Sequence, residues 1–377
     1  MAAAIAGVTI WKVEQSQDRA SVRPVARTVV RPTRLRHGLH HARAHRVDLY
    51  AHDGVGMIQP AARRALYRVY VPNSAGNSVD VIDPLTFKVV DHFDVGALPQ
   101  HITPSYDLKT LYVNNDVGNS LTPIDPDTAR PGRPIPVDDP YNLYFTPNGR
   151  YAIVVAERLH RLDFRSARTL KLVHRLDVPC AGVNHLDFSA NGRYAIASCE
   201  FSGRLLKVDV TRFRVLGMRT LPRRFSVPQD VRSSPNAKVF YVADLAAGGL
   251  WEINPKRFKI IGFIHTGAGA HGLVVGRNGK LLYVANRNAG TVSVVSFRKR
   301  KVLRTWRIPG GGSPDMGDVS PDGRVLWLSG RYNAEVYAFS TRTGRLLARI
   351  PVGASPHGLC VWPQPGRYSI GHTGNMR

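Results

Sequence analysis

Hydrophobic positions along the chain fall in short runs. TLYVNN (110–115), FYVADL (240–245) and LLYVANR (281–287) are rich in β-branched and aromatic residues, and turn residues break them within a few positions. From residue 61 to 377 no long stretch repeats at helical spacing, and the 26 prolines are spread over the whole chain. This patterning predicts strands throughout. TPNGR (146–150), SANGR (189–193), GRNGK (276–280) and SPDGR (320–324) separate paired strands. Their Asn-Gly and Asp-Gly pairs supply the positive-φ positions that a tight hairpin needs.

The same unit is spelled seven times. One copy, PDMGDVSPDGRVLWLSGRYNAEVYAFSTRTGRLLARIPVGAS (314–355), contains four strands, an Asp-Gly turn, a polar loop, a basic turn and a closing Pro-Val-Gly. The third strand of successive copies ends at Asp83, Asp125, Asp163, Asp209, Asn254, Ser296 and Ser340, giving gaps of 42, 38, 46, 45, 42 and 44 residues. That period is the length of a four-stranded propeller blade. One unit has more strand edge than core, so it must stack on its copies, and a closed ring removes the free edges. The expected fold is all-β, a seven-bladed β-propeller of four-stranded antiparallel blades. Asp, Asn and Ser in the shared column all cap a backbone N–H in a turn, so that column is read as structural.

The strand cores YVNN (112–115) and YVAN (283–286), the SPDGR turn, the VIDP strand end (81–84) and the closing PVG (351–353) resemble the YVTN-repeat propellers. That family includes YncE-like proteins and archaeal surface-layer proteins. The resemblance covers about residues 67–374. It implies the propeller fold and leaves activity open, because propellers host binding scaffolds, lactonases and redox enzymes alike. The Trp-Asp and Gly-His signatures of WD-type repeats are missing.

Six copies are complete. The first, 67–98, lacks an innermost strand, while HGLCVWP (357–363) offers a spare one. The C-terminal segment is therefore expected to complete the first blade and close the ring. RYSIGHTG (367–374) duplicates the position of RVYVPN (68–73), and the sequence does not rank the two. Residues 1–60 lie outside the repeat and read as a basic, disordered tail, with 61–377 as the propeller. AAAIAGVTIW (2–11) is too short to span a membrane and follows no charged segment, so no signal peptide or transmembrane segment is expected. The compartment, cytoplasmic or exported, stays open.

Charge adds a second pattern. The net charge is +25. Residues 1–68 hold 12 Lys/Arg and 4 Asp/Glu, or +8, which leaves +17 on the ring. The first-to-second and third-to-fourth turns of a blade share one face. They carry Arg165, Arg168, Lys256, Arg257, Arg298, Lys299, Arg300 and Lys301 among others, whereas Asp116, Glu157, Glu200, Asp230, Asp244 and Asp315 fall on the opposite face. A two-sided disc is expected, whose basic face suits nucleic acid, an anionic surface or an acidic partner. No base-reading module or aromatic ladder accompanies that charge.

The innermost strands begin PQH (99–101), PYN (140–142), VNH (183–185), PQD (228–230), AHG (270–272), PDM (314–316) and PHG (356–358). This column keeps polarity while varying identity, and it rings the mouth of the central channel, where propellers bind ligands. Its members are Gln100, His101, Tyr141, Asn142, Asn184, His185, Gln229, Asp230, His271, Asp315 and His357, with Glu200, Arg287 and Arg331 in reach of the same funnel. Three chemistries fit. The histidines can brace strand ends and channel water. His101, His185, His271 and His357 can hold a divalent metal, with Asp230 or Asp315 as an oxygen ligand. They can also recognise a small polar molecule or act on it as acids and bases. No nucleophile elbow, haem-attachment motif or nucleotide fingerprint appears. Of three cysteines, Cys180 and Cys199 should both reach the His185 end of one blade, as a disulfide, a thiol–imidazole cluster or two buried hydrophobes. The resulting expectation is a binding or scaffold propeller whose channel mouth takes a small polar ligand or metal. A binder of nucleic acid or anionic surfaces through the basic face comes second, and a lactonase-like hydrolase or oxidoreductase at the mouth third.

Overall fold

The computed structural model describes residues 47–377; the expected basic tail over 1–46 lies outside the described residues. Seven antiparallel blades follow the chain, as the repeat predicts. Blade 4 shows the plan, running outward from Val183–Phe188 through Tyr194–Cys199 and Arg204–Asp209 to Arg214–Thr220. Its second strand is buried along nearly its whole length and its outermost strand is largely exposed, because only the inner strands are covered by neighbouring blades. Blade 2 departs at its outer edge, where Arg130–Pro131 and Ile135–Pro136 share one strand position. Prolines there lack the N–H a ladder needs, which confines them to an edge.

The turn column behaves as its chemistry dictates. Asp83, Asp125, Asp209, Asn254, Ser296 and Ser340 each accept from a backbone N–H two or three residues on. Asp163 departs from the column: it is fully buried and holds Arg161 at 2.8 Å.

The ring closes as expected. Cys360–Trp362 pairs with Arg68–Asn73 and supplies the innermost strand of blade 1. The two competing segments are thereby ranked. Arg68–Asn73 takes the blade position, while Ser369–Gly371 joins the free edge of Asn142–Phe145 in blade 3 and folds back through Asn375–Met376. The segment after the closing strand thus enters the channel instead of duplicating a blade strand. Arg377 ends buried, 2.5 Å from Asp187 of blade 4.

Residues 47–60, grouped with the tail by their composition, pack on the ring. Leu49 N donates to Pro235 O, Tyr50 Oη donates to Ser233 O at 2.7 Å, and Ile58 bridges Gly366. Cys180 and Cys199 form a disulfide joining the approach to blade 4 with the end of its second strand, and Cys360 is free and buried. No helix among the described residues is long and apolar enough to cross a membrane.

Candidate metal centre

In six of the seven blades the innermost strand begins with one residue more than the strand it pairs with, and only in blade 3 does the register run without a slip. In blade 2 the register slips between Pro99 and Ile102, and the slip recurs at Val183/Leu186, Pro228/Val231, Ala270/Leu273 and Pro314/Gly317. In blade 1, Pro356 opposes Asn73 while Cys360 opposes Tyr70, four steps against three. A bulge of this kind leaves residues out of the ladder and re-aims their side chains. Those it frees include His101, His185, Asp230, His271, Asp315 and His357. Six repeats therefore deliver their variable residues to one place by the same backbone device.

Close approach of the blades makes the place narrow. Gly358 N donates to Gln100 O and Ile102 N donates to Gly358 O, which ties blade 1 directly to blade 2. A Cβ on Gly358 would strike the His101 ring, and one on Gly272 would strike the Asp315 backbone. Glycine follows His271 and His357 because the channel leaves no room for more.

Five imidazoles meet there. His101 lies with ring centroids 4.8 Å from His357, 4.9 Å from His372 and 5.4 Å from His185. His271 is 5.8 Å from His357 and 6.3 Å from His185. His372 comes from the segment threaded into the channel, outside the repeat column, and the sequence reading missed it. The only signal was a second copy of a strand already placed, with a histidine beside it. Two groups emerge, His101/His185/His372 and His271/Asp315/His357, and within each the ligand atoms lie within 4.8 Å of one another.

Most of the donor atoms have nothing to bind. Both ring nitrogens of His185, Nε2 of His101 and His372, Nδ1 of His357 and Oδ2 of Asp315 are buried without a hydrogen-bond partner. His271 Nδ1 sits 2.7 Å from Asp315 Oδ1. Unpaired buried polar groups are costly, so a cluster of them is the unusual feature of this molecule. Burial holds all five imidazoles below their ordinary range, hence neutral, the form that ligates a metal. Burial alone would raise Asp315, but the Arg287 guanidinium brings it well below the usual carboxylate range. Arg287 Nη2 donates to its Oδ1 at 2.6 Å.

The other predicted residues brace this chamber. Asp230 Oδ1 accepts from Val231 N and Oδ2 from Leu273 N, so both its oxygens are occupied and Asp315 is the carboxylate left free. Asn184 links Ser198, Glu200 and Gln229, and Gln100 Oε1 accepts weakly from Ser74 Oγ. Asn142 Nδ2 lies 3.0 Å from His372 Nδ1. The Tyr141 ring stands edge-on to His101 and His185, and its carbonyl accepts from His101 Nδ1 at 2.9 Å. Arg331 turns away towards blade 1, donating to Ser74 Oγ and Ser355 O.

A family model described as the YNCE-like beta-propeller matches residues 53–365. The chain belongs to that family. No curated protein matches this YNCE-like propeller significantly. Among solved structures, Kuenenia stuttgartiensis hydrazine synthase superposes with a TM-score of 0.64 at 18% identity, covering 81% of this chain and 99% of that one. The dihydro-heme d1 dehydrogenase NirN, solved in complex with DHE, gives 0.59 at 14% identity over 79% and 75%. A functionally unknown protein from Desulfotomaculum acetoxidans gives 0.65 at 14% over 78% and 99%. At such identities the likeness extends to the fold alone.

On the turn face of this YNCE-like propeller, Arg168, Lys256, Arg257, Arg298, Lys299 and Lys301 are exposed. Arg165 is buried, donating to Leu170 O, and Arg300 makes a two-pronged pair with Glu252 at 2.6 and 2.7 Å. On the opposite face Asp244 is structural, accepting from Val227 N, Ala247 N and Trp251 Nε1.

Proposed function

We propose that this propeller is a metal-binding protein whose channel holds a transition-metal ion through His101, His185 and His372. One observation carries the reading: three fully buried imidazoles, from blade 2, blade 4 and the threaded segment, converge within 4.8 Å with unpartnered nitrogens. Bracing by channel water explains a single orphaned nitrogen better than it explains four on three rings. His101 has the outer-sphere partner that metal-bound imidazoles favour, since its Nδ1–H donates to the Tyr141 carbonyl and leaves the Nε2 lone pair for an ion. The His372 ring is held in place by Asn142, whose Nδ2 lies 3.0 Å from its Nδ1 while its Oδ1 accepts from Leu143 N at 2.9 Å. A neutral three-imidazole set suits Zn²⁺, Cu²⁺ or Fe²⁺ and is poor for Mg²⁺ or Ca²⁺. When bound, such an ion supplies Lewis acidity or electron transfer. The residues of this chain orient it, exclude bulk water and keep its ligands deprotonated.

The Cys180–Cys199 bridge favours the exported alternative for compartment, because reducing cytosol opposes such bonds. The decisive experiment is calorimetric titration of metal-stripped full-length protein with Zn²⁺, beside a His185→Ala variant. The tightest binding event should weaken in the variant by more than the roughly 10–100-fold that loss of an outer-sphere partner costs. Wild-type protein that binds no Zn²⁺, Co²⁺ or Cu²⁺ refutes the reading.

A further inference from the structure

The second cluster in the chamber is built from different chemistry and is not needed by the first. His271, Asp315 and His357 come from blades 6, 7 and 1, so no residue is shared with the His101/His185/His372 set. All three are buried, their ligand atoms lie within 4.8 Å of one another, and Oδ2 of Asp315 and Nδ1 of His357 have no hydrogen-bond partner. Asp315 is prepared as a ligand by Arg287, which donates to Oδ1 through Nη2 at 2.6 Å and Nε at 3.2 Å. This fixes the carboxylate plane and leaves its second oxygen towards His357, whose Nε2 is 3.7 Å away. An outer-sphere guanidinium on a carboxylate of this kind is a positioning device.

The two clusters also face each other. His101 of the first lies 4.8 Å, ring to ring, from His357 of the second, and His185 lies 6.3 Å from His271. Building on the reading above, we propose that the channel is a two-metal centre, with a second ion held by His271, Asp315 and His357 beside the three-histidine ion. The sites differ in character. Three neutral nitrogens favour a softer ion, while two nitrogens with one carboxylate, the 2-His-1-carboxylate set, also accept harder ions such as Fe²⁺ or Mn²⁺. Two ions held in this buried cluster would suit a small oxygen-donor anion or a hydroxide, and that is the ligand class the centre fits.

The test is stoichiometry on the metal-stripped full chain. Co²⁺ is titrated by visible absorption, and bound metal is counted after equilibrium dialysis, for wild type, His185→Ala, His357→Ala and His357→Gln. The glutamine variant guards against a packing defect, and melting curves confirm that each protein is folded. We expect two equivalents in wild type and one in each variant. Magnetic coupling between the two Co²⁺ ions, seen by electron paramagnetic resonance, should vanish in every variant. One equivalent in wild type, lost in His185→Ala and untouched by both His357 substitutions, overturns the second site while the first stands. No Co²⁺ bound to wild type overturns both.

Discussion

Glu157 shows how the mouth stores a titration that the repeat does not require. It follows the second strand of blade 3, is almost fully buried, and has an oxygen without a hydrogen-bond partner. Burial first, then the charges of Glu200 and Asp116, push its carboxyl from 4.5 up to about 9. The folded value exceeds the unfolded one, so the stability tied to the protonated acid is whole below about pH 4.5. It is lost as the pH rises towards 9. Glutamine copies the neutral acid at every pH. Glu157→Gln should therefore melt with wild type at pH 4.5 and at least about 2 °C above it at pH 8.5, by calorimetry. An equal gap at both values would show that the carboxyl does not titrate in this range. The position of Glu157 was legible from its column; its burial and protonation were not, because both depend on neighbours from other blades.

At the level of elements, the closing strand and the threaded segment divide the work of the C-terminal region. Cys360–Trp362 seals blade 1, with Trp362 fully buried against Tyr70 and Ile102. Residues 369–376 instead occupy the channel and are anchored by Arg377 on Asp187, whose Oδ2 also accepts from Ser233 N. Removing one partner of a buried pair leaves an uncompensated charge, which costs about 3–5 kcal/mol. Arg377→Ala should lower the denaturant-unfolding free energy by that amount without aggregation, because the closing strand is intact. A loss below about 1 kcal/mol would place Asp187 in contact with solvent. Element by element, the sequence shows why some of this was visible. Strand cores, Asn-Gly turns and the spare HGLCVWP strand repeat, so seven blades and their closure could be read directly. His372 does not repeat, and its place depends on pairing with Tyr144, more than two hundred residues earlier in the chain. The bulges were equally hidden, since register is a property of two strands together. Cysteine spacing alone left the Cys180–Cys199 bridge open, because both residues also suit a buried apolar site.

Over the whole molecule, surface charge and the histidine cluster are separate systems. The chamber lies among the starts of the innermost strands, whereas the excess of positive charge sits on turns such as Arg298–Lys301 and Lys256–Arg257. Internal pairing reduces the basic face: Arg300 is engaged by Glu252, and Arg165 is buried beside Asp163. What remains exposed still favours polyanions, and each phosphate neutralised releases counterions, so association should be weak, independent of sequence and sharply salt-dependent. Reversing Arg298, Lys299 and Lys301 to Glu removes three such contacts. The slope of log K against log salt for a short DNA duplex should fall by about 2.7, at 0.9 per contact. Fluorescence anisotropy between about 50 and 200 mM salt resolves a change of that size. His185→Ala should leave the slope untouched, since the channel is walled off by the inner strands. If the reversed protein keeps the wild-type slope, the turn charges are solvated and the nucleic acid is held elsewhere. If His185→Ala alters it, the two systems are coupled through the ring, and metal occupancy would then have to be controlled in every measurement of polyanion binding.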